Sequence, residues 1–319
     1  MSLAELKLDA YEVGVFEQQL EDLELEVEKL DFGRKNFASG IYVPIQTENK
    51  PWAKTYTYRR VTHVGHFQLA RNYTNNIPRI DLLCDEVSRR IYKWISGYDY
   101  TEDDMLAVVR QGMGIDREKI EGVRESYEQT LNRLIAYGDE EAGMKGFVNN
   151  KSVLRSVAPY SLGSSSSTPK QALAVLNDTA NAIVSYTNEI EEPDTLLMPT
   201  SMRNYYAQLM IETNNGNAIV DKTVLQHFLD TNPYIKNVGG VRELEATNLR
   251  KNGLGDRAVM MAYKRDPRKV RAKIYQPLTF LPTKQEGVDG RVRPCKFKFA
   301  GVEFKRPYSC HAVEIPDAA

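Results

Sequence analysis

Residues 55–73, TYTYRRVTHVGHFQLARNY, predict a long two-stranded β-hairpin. The first half alternates side chains with the period of two that a strand requires, in Thr55, Tyr56, Thr57, Tyr58, Arg59 and Arg60. After a break around Gly65, the second half continues through Phe67, Leu69, Arg71 and Tyr73. The β-branched and aromatic composition extends over residues 41–83, so we expect the hairpin to occupy this region.

The composition of the hairpin does not suit the core of its own chain. A hairpin that faces a core has one apolar face, whereas the cations Lys54, Arg59, Arg60 and Arg71 leave neither face apolar. An isolated hairpin is only marginally stable in water. We therefore expect residues 45–80 to project and pack on a neighbouring copy. The candidate contact residues are Trp52, Lys54, Tyr56, Tyr58, Arg59, Arg60 and Arg71. The alternative is an internal hairpin that lies on its own core.

The net charge of −1 hides an asymmetry along the chain. Residues 1–32 hold ten acidic and two basic side chains, a net charge of −8, whereas residues 264–310 hold thirteen basic and four acidic ones, a net charge of +9. The two regions are complementary and could pair within one chain or between copies. The acidic region also carries leucines that need cover, so we expect an arm that contacts another copy through Leu20, Leu23 and Leu25.

The most basic stretch, KRDPRKVRAK at residues 264–273, raises the question of nucleic-acid binding. Its cations could neutralise phosphates. It lacks the interleaved aromatic side chains on which single-stranded bases stack. We therefore favour an acidic protein partner, in the same or another subunit, over specific nucleic-acid recognition, and leave weak contact with packaged DNA open.

The remaining patterns predict a mixed α+β fold. Residues 116–137 predict the longest helix, because one stripe contains Ile120, Val123, Tyr127, Leu131, Leu134 and Ile135. The low-complexity stretch SLGSSSST at residues 161–168 is the best candidate boundary, and Thr168 and Pro169 then begin a second helix. Further helices are expected after Pro199 and over residues 223–230. Strands are expected at TLLMP, VMMAY, KVRAKIY and CKFKFAGVEFKR.

Composition excludes several classes of protein. No run approaches the roughly 18 apolar residues of a membrane span, and the first residues lack the basic and apolar blocks of a secretory signal, so we expect a cytoplasmic protein without membrane contact. Three widely spaced cysteines, Cys84, Cys295 and Cys310, suggest reduced thiols.

The sequence offers no convergent catalytic or metal-binding set. His63 and His66 lie three apart in a predicted strand and should point to opposite faces. Cys295, Cys310 and His311 lack a fourth ligand nearby. No nucleophile elbow or phosphate-binding glycine loop is present in the sequence. We therefore predict no catalytic residue, no metal and no cofactor.

Several short motifs, in order, resemble the major capsid proteins of tailed bacteriophages. They are IPRID at 77–81, YGD at 137–139, GFVNN at 146–150, PDTLLMP at 193–199 and FLDTNPYI at 228–235. More narrowly, the chain is similar to a divergent branch catalogued in phages and prophages as a domain of unknown function. The resemblance covers roughly residues 10–310.

The resemblance implies an HK-ninety-seven-like fold with four regions. Residues 1–40 would form the N-terminal arm and residues 41–83 the extended loop. Residues 84–160 and 291–319 would form a peripheral domain with a spine helix at 116–137, and residues 161–290 the axial domain.

The resemblance also implies a function. Copies of the chain would assemble in the host bacterial cytoplasm into pentamers and hexamers of an icosahedral virion capsid that encloses double-stranded DNA through non-specific contacts. Scaffold, portal or decoration proteins could be further partners. Two alternatives remain at this point: an encapsulin-like nanocompartment shell with protein cargo, and a soluble hydrolase with an unrecognised site.

Overall fold

The computed structural model describes residues 35–67, 79–101, 115–161, 168–211, 222–287 and 290–316. The helices are α1 Ile115–Tyr137, α2 Pro169–Tyr186, α3 Thr200–Gln208, α4 Val224–Thr231 and α5 Ala246–Lys251. The first strands are β1 Ile45–Thr47, β2 Thr55–Val64, β3 Asp81–Arg90, β4 Tyr92–Thr101, β5 Gly138–Asp139, β6 Met144–Lys145 and β7 Leu154–Val157. The later strands are β8 Thr195–Met198, β9 Asn237–Gly240, β10 Ala258–Tyr263, β11 Val270–Phe280, β12 Lys284–Glu286, β13 Gly290–Phe304 and β14 Cys310–Ile315. The fold is mixed α+β, as the sequence predicts.

Helix α1 matches the longest predicted helix and begins one residue earlier. Its apolar stripe faces the body of the chain, because Leu131 and Leu134 are buried while Val123 and Tyr127 are half-buried. The ring of Tyr127 meets Phe297 edge-on, with 4.9 Å between centroids.

Helix α1 ends at a glycine whose backbone no other residue could adopt without strain. Gly138 has φ +77°, and a Cβ placed there would lie 2.1 Å from the Met144 carbonyl oxygen. The chain can therefore leave the helix and form the tight β5–β6 pair only with glycine at this position.

Sheet one contains β1, β11, β13, β12 and β4. β1 runs parallel to β11, while β11, β12 and β4 each run antiparallel to β13. Together with α1 it encloses the first hydrophobic core, whose aromatic members include Phe37, Phe147, Phe297, Phe299 and Phe304.

Sheet two has the order β7-β14-β10-β8-β9, and its central strands β14, β10 and β8 are buried on both faces. In β10, Met261 and Tyr263 face the first core, while Met260 and Ala262 face a second core formed with α2, α3 and α4. A strand that is buried on both faces has apolar residues at successive positions, whereas a strand with one exposed face alternates apolar and polar residues. The predicted strands TLLMP and VMMAY are therefore confirmed as β8 and β10.

The predicted starts of α2 and α4 are confirmed by their capping geometry. The Thr168 hydroxyl accepts from the Gln171 backbone nitrogen, and the Gln171 side chain accepts from the Thr168 backbone nitrogen. Thr223 and Gln226 form the same reciprocal pair at α4. Each helix thereby satisfies two backbone donors that would otherwise lack partners.

Strand pairing divides the chain differently from the predicted boundary between residues 290 and 291. β11, on the predicted axial side, pairs with β13 on the peripheral side. β14, on the peripheral side, pairs with β10 and β7 in sheet two. The pairing crosses the predicted boundary, because hydrogen bonding across the sheet, and not position in the chain, decides which sheet a strand joins. The division into domains stays a prediction.

Two predicted regions lie outside the described residues: the arm up to residue 34 and the serine-rich linker at residues 162–167. In the described ranges, no helix combines the length and apolar content that crossing a membrane requires.

Candidate assembly surface

The hairpin consists of β2 and β3, which pair antiparallel from Thr55 opposite Arg90 to Val64 opposite Asp81. β2 confirms the first half of the predicted hairpin. The predicted return through Leu69, Arg71 and Tyr73 lies outside the described residues, and the strand that pairs with β2 is Asp81–Arg90. The hairpin therefore reaches further along the chain than residue 83, the predicted end.

The base of the hairpin packs on sheet one of its own chain. Tyr56 is 8% exposed, and its ring lies 5.7 Å from Tyr275 and 6.3 Å from Tyr58. The Lys273 ammonium sits 4.8 Å from the Tyr56 ring centroid, where it is attracted to the aromatic face. Tyr56 is therefore buried within its own subunit, and its predicted contact with another copy stays a prediction.

Polar contacts fix the same base. The Lys298 ammonium donates to the Pro51 carbonyl at 2.6 Å, and the Arg89 guanidinium donates to the Val302 carbonyl at 2.8 Å. The Ile91 backbone nitrogen donates to the Lys54 carbonyl at 2.9 Å. The first two bonds tie both ends of the hairpin to β13 of sheet one, and the third joins the two ends to each other.

Ion pairs lie beneath the base. Lys273 is buried and lies 3.1 Å from a Glu48 carboxylate oxygen. Burial alone would raise the Glu48 pKa, but hydrogen bonds from Lys273 and Lys50 outweigh it and hold the pKa below its ordinary value. Alongside, the fully buried Glu303 accepts from Arg271 at 2.7 Å.

Three cations of the basic stretch at residues 264–273 form ion pairs with carboxylates. Lys269 pairs with Glu191, Arg271 with Glu303, and Lys273 with Glu48. The acidic partners of these three cations lie in the same chain. They are therefore engaged in folding, which removes them from the set available to a nucleic acid.

The distal half of the hairpin leaves apolar side chains exposed on both faces. Phe67 is 94% exposed, and Ile80, Leu82 and Leu83 are 54–61% exposed. Val61 and Val64 on the opposing strand are about half exposed. Exposed apolar side chains gathered at one end of an element are typical of a protein interface. We call residues 61–67 and 80–84 the hairpin tip.

The predicted contact residues fall into three groups. Trp52, at 74% exposure, and Lys54 are open to solvent, while Tyr58 is half-buried. Arg59 is exposed and pairs across the strands with Glu86 at 2.5 Å. Leu20, Leu23, Leu25, Arg71 and the side chain of Arg60 lie outside the described residues.

Sequence reasoning missed Ile80, Leu82 and Leu83. Residues 41–83 were assigned to the extended loop, but the return strand was expected at residues 67–73, so these three apolar residues were not named as contacts. Asp81, Asp85 and Glu86 were the available signal, because they place carboxylates on both faces of the strand, which a core strand rarely carries.

Three titratable side chains outside the hairpin, His311, Cys295 and Cys310, are buried in the folded chain. His311 is buried: its Nδ1 donates to the Thr179 carbonyl at 3.1 Å, so its Nε2 accepts from the Ser156 hydroxyl at 2.8 Å. Burial lowers the His311 pKa despite the Thr179 bond, and burial raises the pKa of Cys295 and Cys310. Within the described part of the chain, no three His, Cys, Asp or Glu side chains come together as metal ligands.

Comparisons with known proteins agree with this architecture. A family model described as major capsid protein matches residues 65–314. The capsid of Myoviridae phage XM1 is similar over 93% of this chain and 97% of its own, with a TM-score of 0.75 and 18% identity. A structure from Mycobacterium phage Bobi is similar over 98% and 99%, with a TM-score of 0.59 and 14% identity. The capsid of an empty GTA particle is similar over 96% and 98%, with a TM-score of 0.59 and 8% identity. No curated protein sequence matches significantly.

Proposed function

The chain belongs to the major capsid protein family, as a shell subunit, and we propose that it builds the icosahedral head of a tailed phage from pentamers and hexamers. The observation that carries this proposal is the hairpin tip, whose apolar side chains the subunit itself leaves exposed. A neighbouring copy that covers them removes apolar surface from water and so favours association.

The hairpin has a base that packs on its own sheet and a tip that is exposed, and this difference supports the proposal. The base is held rigidly by its own sheet through Tyr56, Lys298 and Arg89. A rigid base presents the tip in one orientation, which lowers the entropy cost of docking. We propose that Trp52, Lys54 and Arg59 border the contact and that Leu82 and Leu83 lie in its centre.

We propose a domain division that follows the two sheets and not the boundary between residues 290 and 291. Sheet one with α1 would form the peripheral lobe, and sheet two with α2, α3 and α4 the axial lobe. Leu20, Leu23 and Leu25 would contact a second copy. The shell would enclose double-stranded DNA by non-specific contact and assemble in the host cytoplasm, with scaffold, portal or decoration proteins as further partners. We assign it no catalytic role.

The test is a deletion confined to the hairpin tip. Residues 61–84 are replaced by a short Gly-Ser turn, which keeps Tyr56, Tyr58 and Arg89 in place. We expect a folded, soluble chain that forms no shells by electron microscopy, while the unaltered protein forms closed particles that contain nuclease-protected DNA. A matched control replaces the exposed Val157, on β7, by Ser.

Particles of normal size from the deletion variant would contradict the role of the tip. Small oligomers from the unaltered protein would contradict shell formation itself.

A further inference from the structure

A second surface feature is a basic cleft of about 570 Å³ at the edge of sheet two. It lies between the turns around residues 145–151, the loop after α5, and strands β7 and β14. Four cations line it: Lys145, Lys151, Arg155 and Arg257. The lining carboxylates are Asp256 and Glu314.

The carboxylates leave the two lysines without an acidic partner in the described part of the chain. Glu314 is shared, at 3.4 Å from Arg155 and 3.9 Å from Arg257. Asp256 pairs with Arg250 at 2.8 Å. Lys145 and Lys151 are both exposed. The cleft therefore has an unbalanced positive charge that favours an acidic occupant.

The floor of the same cleft is apolar. Val148, Leu249 and Val259 are at most 5% exposed and belong to the first hydrophobic core, and Leu254 packs against them. A sugar–phosphate backbone offers such a floor only small sugar carbons flanked by charged phosphates. A peptide that alternates acidic and apolar side chains has both kinds of group.

The sequence of this chain contains such a peptide. Residues 23–28, LELEVE, alternate three apolar residues with three glutamates. Where a segment of this pattern is extended, one side is apolar and the other is acidic. The 34 residues that precede Lys35 can span at most about 110 Å, which is enough to reach an adjacent subunit.

We propose that the basic cleft of one subunit binds the acidic segment 20–28 of a second copy. Leu23, Leu25 and Val27 contact the apolar floor, while the glutamates face Lys145 and Lys151. This inference rests on the proposed function, since it requires subunits brought together in a shell. It assigns the unpaired cations of the cleft and the acidic excess of residues 1–32 to one intersubunit contact.

The first experiment maps the contact by photo-crosslinking. A benzophenone amino acid replaces Leu25 in full-length chains labelled with nitrogen-15, which are co-assembled with unlabelled chains that lack the probe. We expect crosslinks from the labelled chain to residues 145–155 or 249–257 of the unlabelled chain. The same probe at Leu6, outside the alternating run, is the control and should not reach these residues. Crosslinks confined to the same chain, or to other regions of the partner, would overturn the proposal.

The second experiment reverses charge. Lys145→Glu with Lys151→Glu should lower the yield of particles at least tenfold, and Glu24→Lys with Glu26→Lys in the same chain should restore it. The control, Lys170→Glu with Lys236→Glu, makes the same change at exposed lysines away from the cleft. Circular dichroism checks that each variant is folded.

The outcomes separate this inference from the proposed function. Normal particles from the cleft variant would overturn the inference and leave the shell function intact. Normal particles that have lost their DNA would show that the occupant is nucleic acid and would also overturn it. Failure of the unaltered protein to form particles would instead contradict the proposed function.

Discussion

At the scale of single residues, Gly138 and Glu191 each occupy a position that a different side chain would disturb. Gly138 ends α1 with a left-handed backbone against the Met144 carbonyl. Glu191 is 3% exposed and accepts from Arg306 at 2.7 Å as well as from Lys269. Hydrogen bonds from these two cations hold the Glu191 pKa below its ordinary value of 4.5, although burial by itself would raise it.

Gly138→Ala is predicted to destabilise the chain more than Gly143→Ala. Both glycines have positive φ, which costs an alanine roughly 1–2 kcal/mol. Only Gly138 also lacks room, since nothing lies within 4 Å of a Cβ at Gly143. Urea unfolding of the unassembled chains measures the difference. Equal losses would show that the close approach to Met144 is relieved at little cost.

Glu191→Gln is predicted to remove part of the acid sensitivity of folding. Because the folded pKa is lowered, the stability linked to this carboxylate is complete above the ordinary value of 4.5 and is lost as pH falls through the folded pKa. The variant should be less stable at pH 7, since Lys269 keeps a buried charge without its partner. Its melting temperature should also fall less steeply below pH 4.5. Exposed Glu140→Gln is the control, and an unchanged slope in Glu191→Gln would contradict the assignment.

At the scale of elements, α1 and the hairpin differ in where their apolar side chains go. The apolar stripe of α1 is buried by sheet one of the same chain, and Leu134 is fully inaccessible. In the hairpin, Tyr56 near the base is buried while Leu82 and Leu83 near the tip are exposed. One element is therefore covered by its own chain, while the other is covered only near its base.

Leu134→Ala is predicted to cost about 2–5 kcal/mol of unfolding free energy, because it leaves a cavity between α1 and sheet one. Arg133→Ala, one residue away on the exposed side, should change the unfolding free energy by less than about 0.5 kcal/mol, since its contact with Asp139 is long and solvated. Urea titration followed by circular dichroism measures both. A similar loss for the two variants would contradict the orientation of α1.

At the scale of the whole molecule, sheet two lies between the two hydrophobic cores. Adjacent residues of β10 alternate between them, with Met260 in the second core and Met261 in the first. A strand that belongs to both cores cannot be lost from one without exposing the other. The described lobes should therefore unfold together.

A single unfolding transition is the resulting prediction. Trp94 stacks on Phe297 at 5.4 Å and reports on the first core by fluorescence, while circular dichroism reports on the whole chain. Leu176→Ala, in the second core, should shift both signals to the same lower urea midpoint. A shift in circular dichroism alone would show that the cores unfold independently.

The sequence by itself determined the elements whose signals are local. The apolar stripe placed α1, Thr168 with Pro169 placed the start of α2, and apolar runs placed β8 and β10. A short helix was also expected over residues 223–230, where α4 lies. The charged first strand of the hairpin was also predictable. Each of these signals is contained within about 20 residues, so it can be read without knowledge of the fold.

Only the tertiary structure decided which of these elements meet. It paired β2 with β3, seated Tyr56 on Tyr275, and assigned β11 and β14 to different sheets. It also gave Lys273 its partner Glu48, which lies 225 residues away in the chain. Such contacts depend on the free energy of packing distant segments together, and many pairings of similar strands satisfy the same local patterns. For this reason the sequence predicted an exposed, cationic hairpin, while the structure determined which half of it packs on its own sheet and which half is exposed.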